Sequence, residues 1–272
     1  MNLAHTRKVV FHTARRTPRR MFRWGVSLFV VVALWWGVVR VFHFPPFILP
    51  TPWKVAQRGW EAVQDGSLLH HSWITLQEVL SGLALGAGLA TLLGYVLAKS
   101  RRLERWLAPY LVASQSVPVV AIAPLLIIWF GTGMLAKTLI CALIVFFPVL
   151  VNTVVGIRSV PEELRDLLRS LDATPWQMVR YLEIPASLPV LLGGLRIGAT
   201  LSVIGAVVGE FVAADQGLGF LVNLARGRYD TPLVFVAVFT LIGMALALYG
   251  TVAWLERRLL AWQTPPRRMG RR

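Results

Sequence analysis

One cysteine, Cys141, is all the chain has, and that excludes a disulfide within it. Charge is scarce as well: Asp, Glu, Lys and Arg make up 15% of 272 residues, and only 13 residues are acidic. Soluble domains carry about 25% charged residues, so a polar shell around a conventional core is ruled out. Catalytic motifs are missing too. The sequence holds no G-x-S-x-G, no H-E-x-x-H and no paired acid beside a histidine within an apolar run. All five histidines, His5, His12, His43, His70 and His71, lie outside those runs or at their ends, and His70-His71 has no further metal-ligand types close by. Nor is there a G-x-x-x-x-G-K-[ST] phosphate loop; Lys99-Ser100 resembles its tail, but Ala98 stands in the glycine position. If ATP drives this protein, another subunit hydrolyses it, and no cofactor or metal is expected on this chain.

What the chain has in abundance is apolar length. Hydrophobic residues make up 56% of it, and a helix needs about 20 of them in succession to cross a bilayer. Six spans fit: Trp24–Phe42, Trp73–Ala98, Leu107–Phe130, Thr138–Ile157, Pro189–Val212 and Thr231–Leu255. The fifth is the weakest, because only Ile197–Gly209 lies between Arg196 and Glu210. That run reaches about 20 Å, short of a core of about 30 Å. One or both of those charges therefore lie in the membrane zone or snorkel to its edge. The first span follows a long basic lead-in, and no small-residue cleavage site follows Trp35-Trp36, so it reads as a retained span.

A net charge of +15 would suggest nucleic acid in a soluble chain, but its placement speaks for topology. The N-terminal tail, the loop after the second span, the stretch from Arg158 to Arg196 and the C-terminal tail hold 22 of the 28 Lys and Arg residues. The positive-inside rule places both termini and the loop after the fourth span in the cytoplasm. The division that follows is a basic tail at 1–23, one membrane domain at 24–260 with a polar insert at 159–189, and a second basic tail at 261–272. On the opposite face, Thr51-Pro52 opens a short amphipathic helix through Gln64, with Trp53, Val55 and Trp60 as interface anchors.

The polar insert is the most informative segment. Ser159 and Glu162 stand at capping-box spacing ahead of a helix over Glu163–Ser170. Thr174 and Gln177 repeat that spacing ahead of a helix over Trp176–Leu182, with Pro175 at its first position. A structured helix–turn–helix knuckle between membrane spans is a shape made to be gripped by a soluble partner.

This insert resembles the coupling loop of the permease subunits of bacterial ATP-binding-cassette importers, written E-A-A, three residues, G, nine residues, I, one residue, L-P. The matching positions are Asp166-Leu167-Leu168, Asp172, Leu182 and Ile184-Pro185, with spacing kept and identities changed. Asp at the turn position is tolerable, since Asp and Asn accept a left-handed conformation better than other non-glycine residues. The likeness extends to the nitrate–sulfonate–taurine branch through Thr75-Leu76, Gly82, Pro118, Ala123-Pro124-Leu125, Trp129 to Gly133, Phe147-Pro148, Gly194-Leu195-Arg196, Gly209-Glu210-Phe211 and Gly217-Leu218-Gly219. Within it, Val207–Asn223 and Ala225–Phe235 are most similar to permeases for riboflavin or the thiamine pyrimidine precursor.

That resemblance implies an all-helical, six-span, type I importer permease in the cell membrane of a prokaryote. It implies a second permease copy, cytoplasmic ATP-binding subunits and an extracytoplasmic binding protein that delivers substrate. ATPase coupling is expected at Asp166, Leu167, Leu168, Asp172, Ala173 and Trp176. A channel or secondary transporter would account for six spans equally well, though not for the knuckle.

Polar and aromatic residues in the spans mark a candidate translocation path: Gln115, Ser116, Trp129, Phe147, Asn152, Arg196 and Glu210, with Thr153, Phe130, Phe146 and Phe211 beside them. An apolar lining with a few polar groups suits a flat heterocycle such as riboflavin. The pyrimidine precursor comes second and sulfonates third, with Arg196 arguing for an anion. Glu210 has two readings, a pair with Arg226 or Arg228 at the outer interface, or a gate. Three G-x-x-x-G pairs, Gly82–Gly86, Gly194–Gly198 and Gly205–Gly209, permit close helix approach, either inside one subunit or between two.

Overall fold

Apolar length and proline placement set the architecture. The computed structural model describes residues 18–263, among which every regular element is helical. The greater part of both basic tails lies outside the described residues. Helix α1 (Pro18–Phe42) is followed by α2 (Pro52–Gln64), α3 (Ser67–Lys99), α4 (Arg101–Gln115), α5 (Val119–Phe130) and α6 (Met134–Arg158). The insert forms α7 (Glu162–Ser170) and α8 (Pro175–Met178). A π-helical turn, Val179–Glu183, then leads directly into α9 (Ile184–Ala213), and α10 (Leu218–Gly227) and α11 (Thr231–Leu259) complete the bundle.

The third span is not the straight helix expected over Leu107–Phe130. Helices α4 and α5 meet at 91° across residues 116–118. Pro118 has no N–H to continue α4 and disfavours helical backbone at Val117, so the chain turns and restarts. The bent pair nevertheless makes one crossing. Arg158, ending α6, donates to Glu104 near the start of α4 at 2.8 Å and to Leu97 O near the end of α3 at 3.2 Å. Those three termini share one end of the bundle. The 25 residues of α6 reach about 37 Å, so its start, and the end of α5 before it, lie at the other end. Six crossings result: α1, α3, α4–α5, α6, α8–α9 and α11.

Helix α6 is the centre, lying against both α3 and α9. Small residues make this possible. A Cβ on Gly86 would stand 2.5 Å from Ala142 O, one on Gly205 2.7 Å from Cys141 Cα, and one on Gly194 2.6 Å from the Asn152 side chain. All three glycine pairs pack inside the subunit, on α6. Cys141 is fully buried where α3 and α9 both close on α6.

Helix α2 begins as expected, with Thr51 capping Lys54 N at 3.3 Å. Trp53 and Trp60 are exposed, but Val55 is buried in a cluster with Leu218, Leu221 and Val236, so it anchors α2 to α10 and α11 and not to the interface. Helix α1 stands apart, held through Trp35, which stacks on Phe235 of α11 at 5.4 Å.

Candidate functional site

The knuckle starts differently at its two ends. The box expected at Ser159 and Glu162 does not form: α6 runs on to Arg158, and the Ser159 hydroxyl turns back to donate to Gly156 O at 2.8 Å. Pro161 opens α7 with no side-chain cap. The second box does form. Gln177 N donates to Thr174 Oγ1 at 3.3 Å, and Thr174 N donates to Gln177 Oε1 at 2.7 Å, with Pro175 in the first turn. The helix it starts is not the separate Trp176–Leu182 segment anticipated, because the π-helical turn joins α8 to the span α9 in one rod of 39 residues.

Asp172 stops α7. Its φ is 54°, its N–H donates to Arg169 O at 3.0 Å, and Ala173 N donates to Leu168 O at 3.0 Å. These two bonds define a Schellman stop with the left-handed residue at Asp172, and Ala173 meets Leu168 as that motif requires. Left-handed backbone costs a β-branched residue about 1–3 kcal/mol. Asp172→Gly and Asp172→Asn are therefore expected to assemble with the ATPase as the parent does, and Asp172→Val to retain several-fold less. Co-purification of the subunits measures this, and parental retention by Asp172→Val would show that the turn is not needed.

The turn points apolar groups outward. Neither α7 nor α8 contains a buried residue, Trp176 is 66% exposed, and Leu167 and Leu171 are exposed beside it. Leu168 and Ala173 are half-buried in the turn, and Asp166 is exposed and paired with Arg169 at 2.8 Å. The six expected coupling residues thus lie together on one projection.

The seven path candidates do not share one neighbourhood in the chain. Gln115 and Ser116 are exposed at the α4–α5 break, and Trp129 is exposed at the far end of α5. Phe147 packs with α3 and α4 around Ala90 and Leu97. Asn152 donates to Pro148 O at 2.7 Å and lies against Gly194. Arg196 is paired with Glu256 of α11 and sits 5.1 Å from the Tyr249 ring centre, so its charge is answered within the subunit.

Glu210 departs most from expectation. It pairs with neither Arg226 nor Arg228. Its side chain is buried, accepting from Thr75 Oγ1 at 2.6 Å and from Gly219 N. Gly217, at φ 110°, and Gly219 lie against its carboxylate with no room for a Cβ. Beside it is Glu78, within side-chain hydrogen-bonding reach, which accepts from Lys137 Nζ at 2.8 Å. Both Glu78 and Lys137 are buried, and a polar cavity of about 300 Å³ bordered by Gln77, Thr132, Asp215 and Gln216 lies over the pair. Sequence spacing gave no sign of this cluster. Lys137 stands just ahead of the apolar run Thr138–Ile157, outside the spans counted from hydropathy.

A third buried carboxylate, Glu183, lies outside all the expected site residues. It lies in the π-helical turn at the root of α9, fully buried, and accepts from Lys99 Nζ and from Tyr95 OH at 3.0 Å. Arg165 of α7 approaches it at 3.9 Å. Its neighbours Leu182 and Ile184 carried the loop spacing, and Glu183 occupied the position that pattern leaves free.

Residues 88–261 match the family described as binding-protein-dependent transport system inner membrane component. The chain is 50% identical over 238 residues to the riboflavin transport system permease protein RibX of Chloroflexus aurantiacus, covering 88% of this chain and 89% of that one. It is 34% identical to the formylaminopyrimidine transport permease protein ThiX of Halalkalibacterium halodurans, covering 86% of this chain and 94% of the relative. In fold it is similar to a chain of the MetNI methionine ABC transporter in inward facing conformations, with a TM-score of 0.61 and 19% identity over 72% of this chain and 97% of that one.

Proposed function

We infer the cargo of this chain from its family: it belongs to the binding-protein-dependent transport system inner membrane components. It is thus a multi-pass permease subunit of an ATP-driven importer, and the channel, secondary-transporter and enzyme readings fall away. Its partners are ATP-binding subunits, a substrate-binding protein and a second permease copy. The uncovered apolar faces of α4 and α5, where Trp106, Tyr110, Ile128 and Trp129 are exposed, suit that second copy. The knuckle faces the cytoplasm, as do both termini. In support of this, α3, α6 and the knuckle place Lys99, Arg158 and Arg165 at one end of the bundle, the end that gathers basic residues.

The substrate is riboflavin. The observation that carries this reading is the 50% identity to RibX along almost the whole chain. Exposed Trp129, Phe130 and Phe211 offer flat apolar surface to a fused heterocycle. Pairing of Arg196 with Glu256 removes the argument for an anionic cargo. The formylaminopyrimidine of the thiamine pathway is the second reading, supported by the 34% identity to ThiX. Vesicles holding the complete importer, supplied with ATP and labelled riboflavin, formylaminopyrimidine or taurine, decide between them. ATP-dependent riboflavin uptake is expected, and taurine uptake without riboflavin uptake would overturn the reading.

A further inference from the structure

The knuckle has no buried residue of its own, yet a push on it has to reach the spans. Two connections lead inward. One is the backbone of the rod, in which Trp176 stands seven positions before Glu183, about 10 Å along a helix axis. The other is Arg165, a half-buried residue of α7 that turns back to the bundle, donating to Ile157 O at 2.8 Å and lying 3.9 Å from Glu183. Both meet at Glu183. From the opposite side come Tyr95 and Lys99, one turn apart at the end of α3.

Glu183 is therefore a buried carboxylate reached by two cations and a hydroxyl from two elements, α3 and α7. A π-helical turn inserts an extra residue into the α-helical register and re-aims the side chains beyond it, which is why such turns gather at functional positions. Here it lies at the junction of rod and span with Glu183 aimed at α3. A buried ion whose partner is withdrawn is strongly destabilised, so the cluster holds together as one unit when its parts are displaced.

We propose that Glu183 is a positioning residue of the transport cycle: its carboxylate locks α3 to the knuckle, so that movement of the coupling helices carries α3 along with α9. This rests on the reading that the knuckle docks the ATPase. Without the charge, α9 would still be pushed through its backbone, while the Lys99 end of α3 would lag.

The test uses the complete importer with its ATPase and binding protein in vesicles. Glu183→Gln keeps size and loses charge. It is expected to retain its ATPase subunits and basal hydrolysis while stimulation of hydrolysis by the loaded binding protein falls at least about fivefold, the lower end of typical coupling between sites. Lys99→Gln provides a second test should Glu183→Gln not fold, because Tyr95 and Arg165 still reach the Glu183 carboxylate when that lysine is lost. The same fall is expected there, and Lys99→Arg should restore stimulation. Trp176→Ala separates the two ideas, since it should shed the ATPase on purification. Parental stimulation in Glu183→Gln and Lys99→Gln overturns the role of Glu183 and leaves the dock standing. Full ATPase retention by Trp176→Ala overturns the dock and this inference with it.

Discussion

Replacing Lys137 with Met should sharply lower the heat resistance of the folded protein. Lys137 and Glu78 are both almost fully buried, with Nζ 2.8 Å from the Glu78 carboxylate. The second oxygen of Glu78 has no hydrogen-bond donor, and the Glu210 carboxyl lies next to it. Lys137 is thus the one cation facing two acidic groups in this cluster. Removing one member of a buried pair costs about 3–5 kcal/mol, because the other is left as an uncompensated charge. Net stabilities of about 5–15 kcal/mol do not absorb that comfortably.

The double variant Lys137→Met/Glu78→Gln should recover most of the loss. It removes the carboxylate that paired with the lost cation, and the Gln amide can donate to Glu210, which keeps Thr75 and Gly219 as donors. Size-exclusion profiles in detergent after graded heating measure the effect. A single variant as heat-resistant as the parent would mean that the ion pair does not hold α3 against α6.

The contrast between what the chain shows in one dimension and what it hides follows distance along the sequence. The Thr174–Gln177 box and the left-handed Asp172 are local, decided within four or five residues, and the residue types that permit them are few. Ser159 had the right spacing too, but a cap needs a free helix start, and α6 had not yet ended there. Hydropathy counted Leu107–Phe130 as one run because it weighs side chains. It does not register that Pro118 leaves the backbone unable to continue. Glu78, Lys137 and Glu210 are separated by 59 or more positions, and so are Lys99 and Glu183, by 84. Each such charge taken alone reads as the edge of a span or as a loop residue. Only the packing of α3 and α9 on α6 makes them partners.

That packing rests on glycine, and Gly205→Leu is expected to dissolve it. A Cβ at 205 would meet Cys141 Cα at 2.7 Å and its backbone N at 3.3 Å, and main-chain atoms have no rotamer by which to yield. At the same level, Gly82 and Gly86 bring α3 against Cys141 and Ala142 with equally little room. Helix α6 is held by α3 and α9 together at this level, and the three share one cluster around Cys141, so forcing α9 off α6 disturbs α3 as well. Water offers no rescue in the bilayer, where helices associate through close contact and interhelical hydrogen bonds, and backbones pushed apart lose that contact to lipid. The Leu variant should still insert, since leucine favours the membrane, but it should elute from detergent as aggregate. Gly250→Leu on α11 is the matched control, because a Cβ there meets nothing within 4 Å, and it should behave as the parent. Equal elution of the two variants would mean that the contact of α9 with α6 is looser than the glycine spacing requires. Loss of both would point to a general intolerance of bulk in these spans, unrelated to the seam at Cys141.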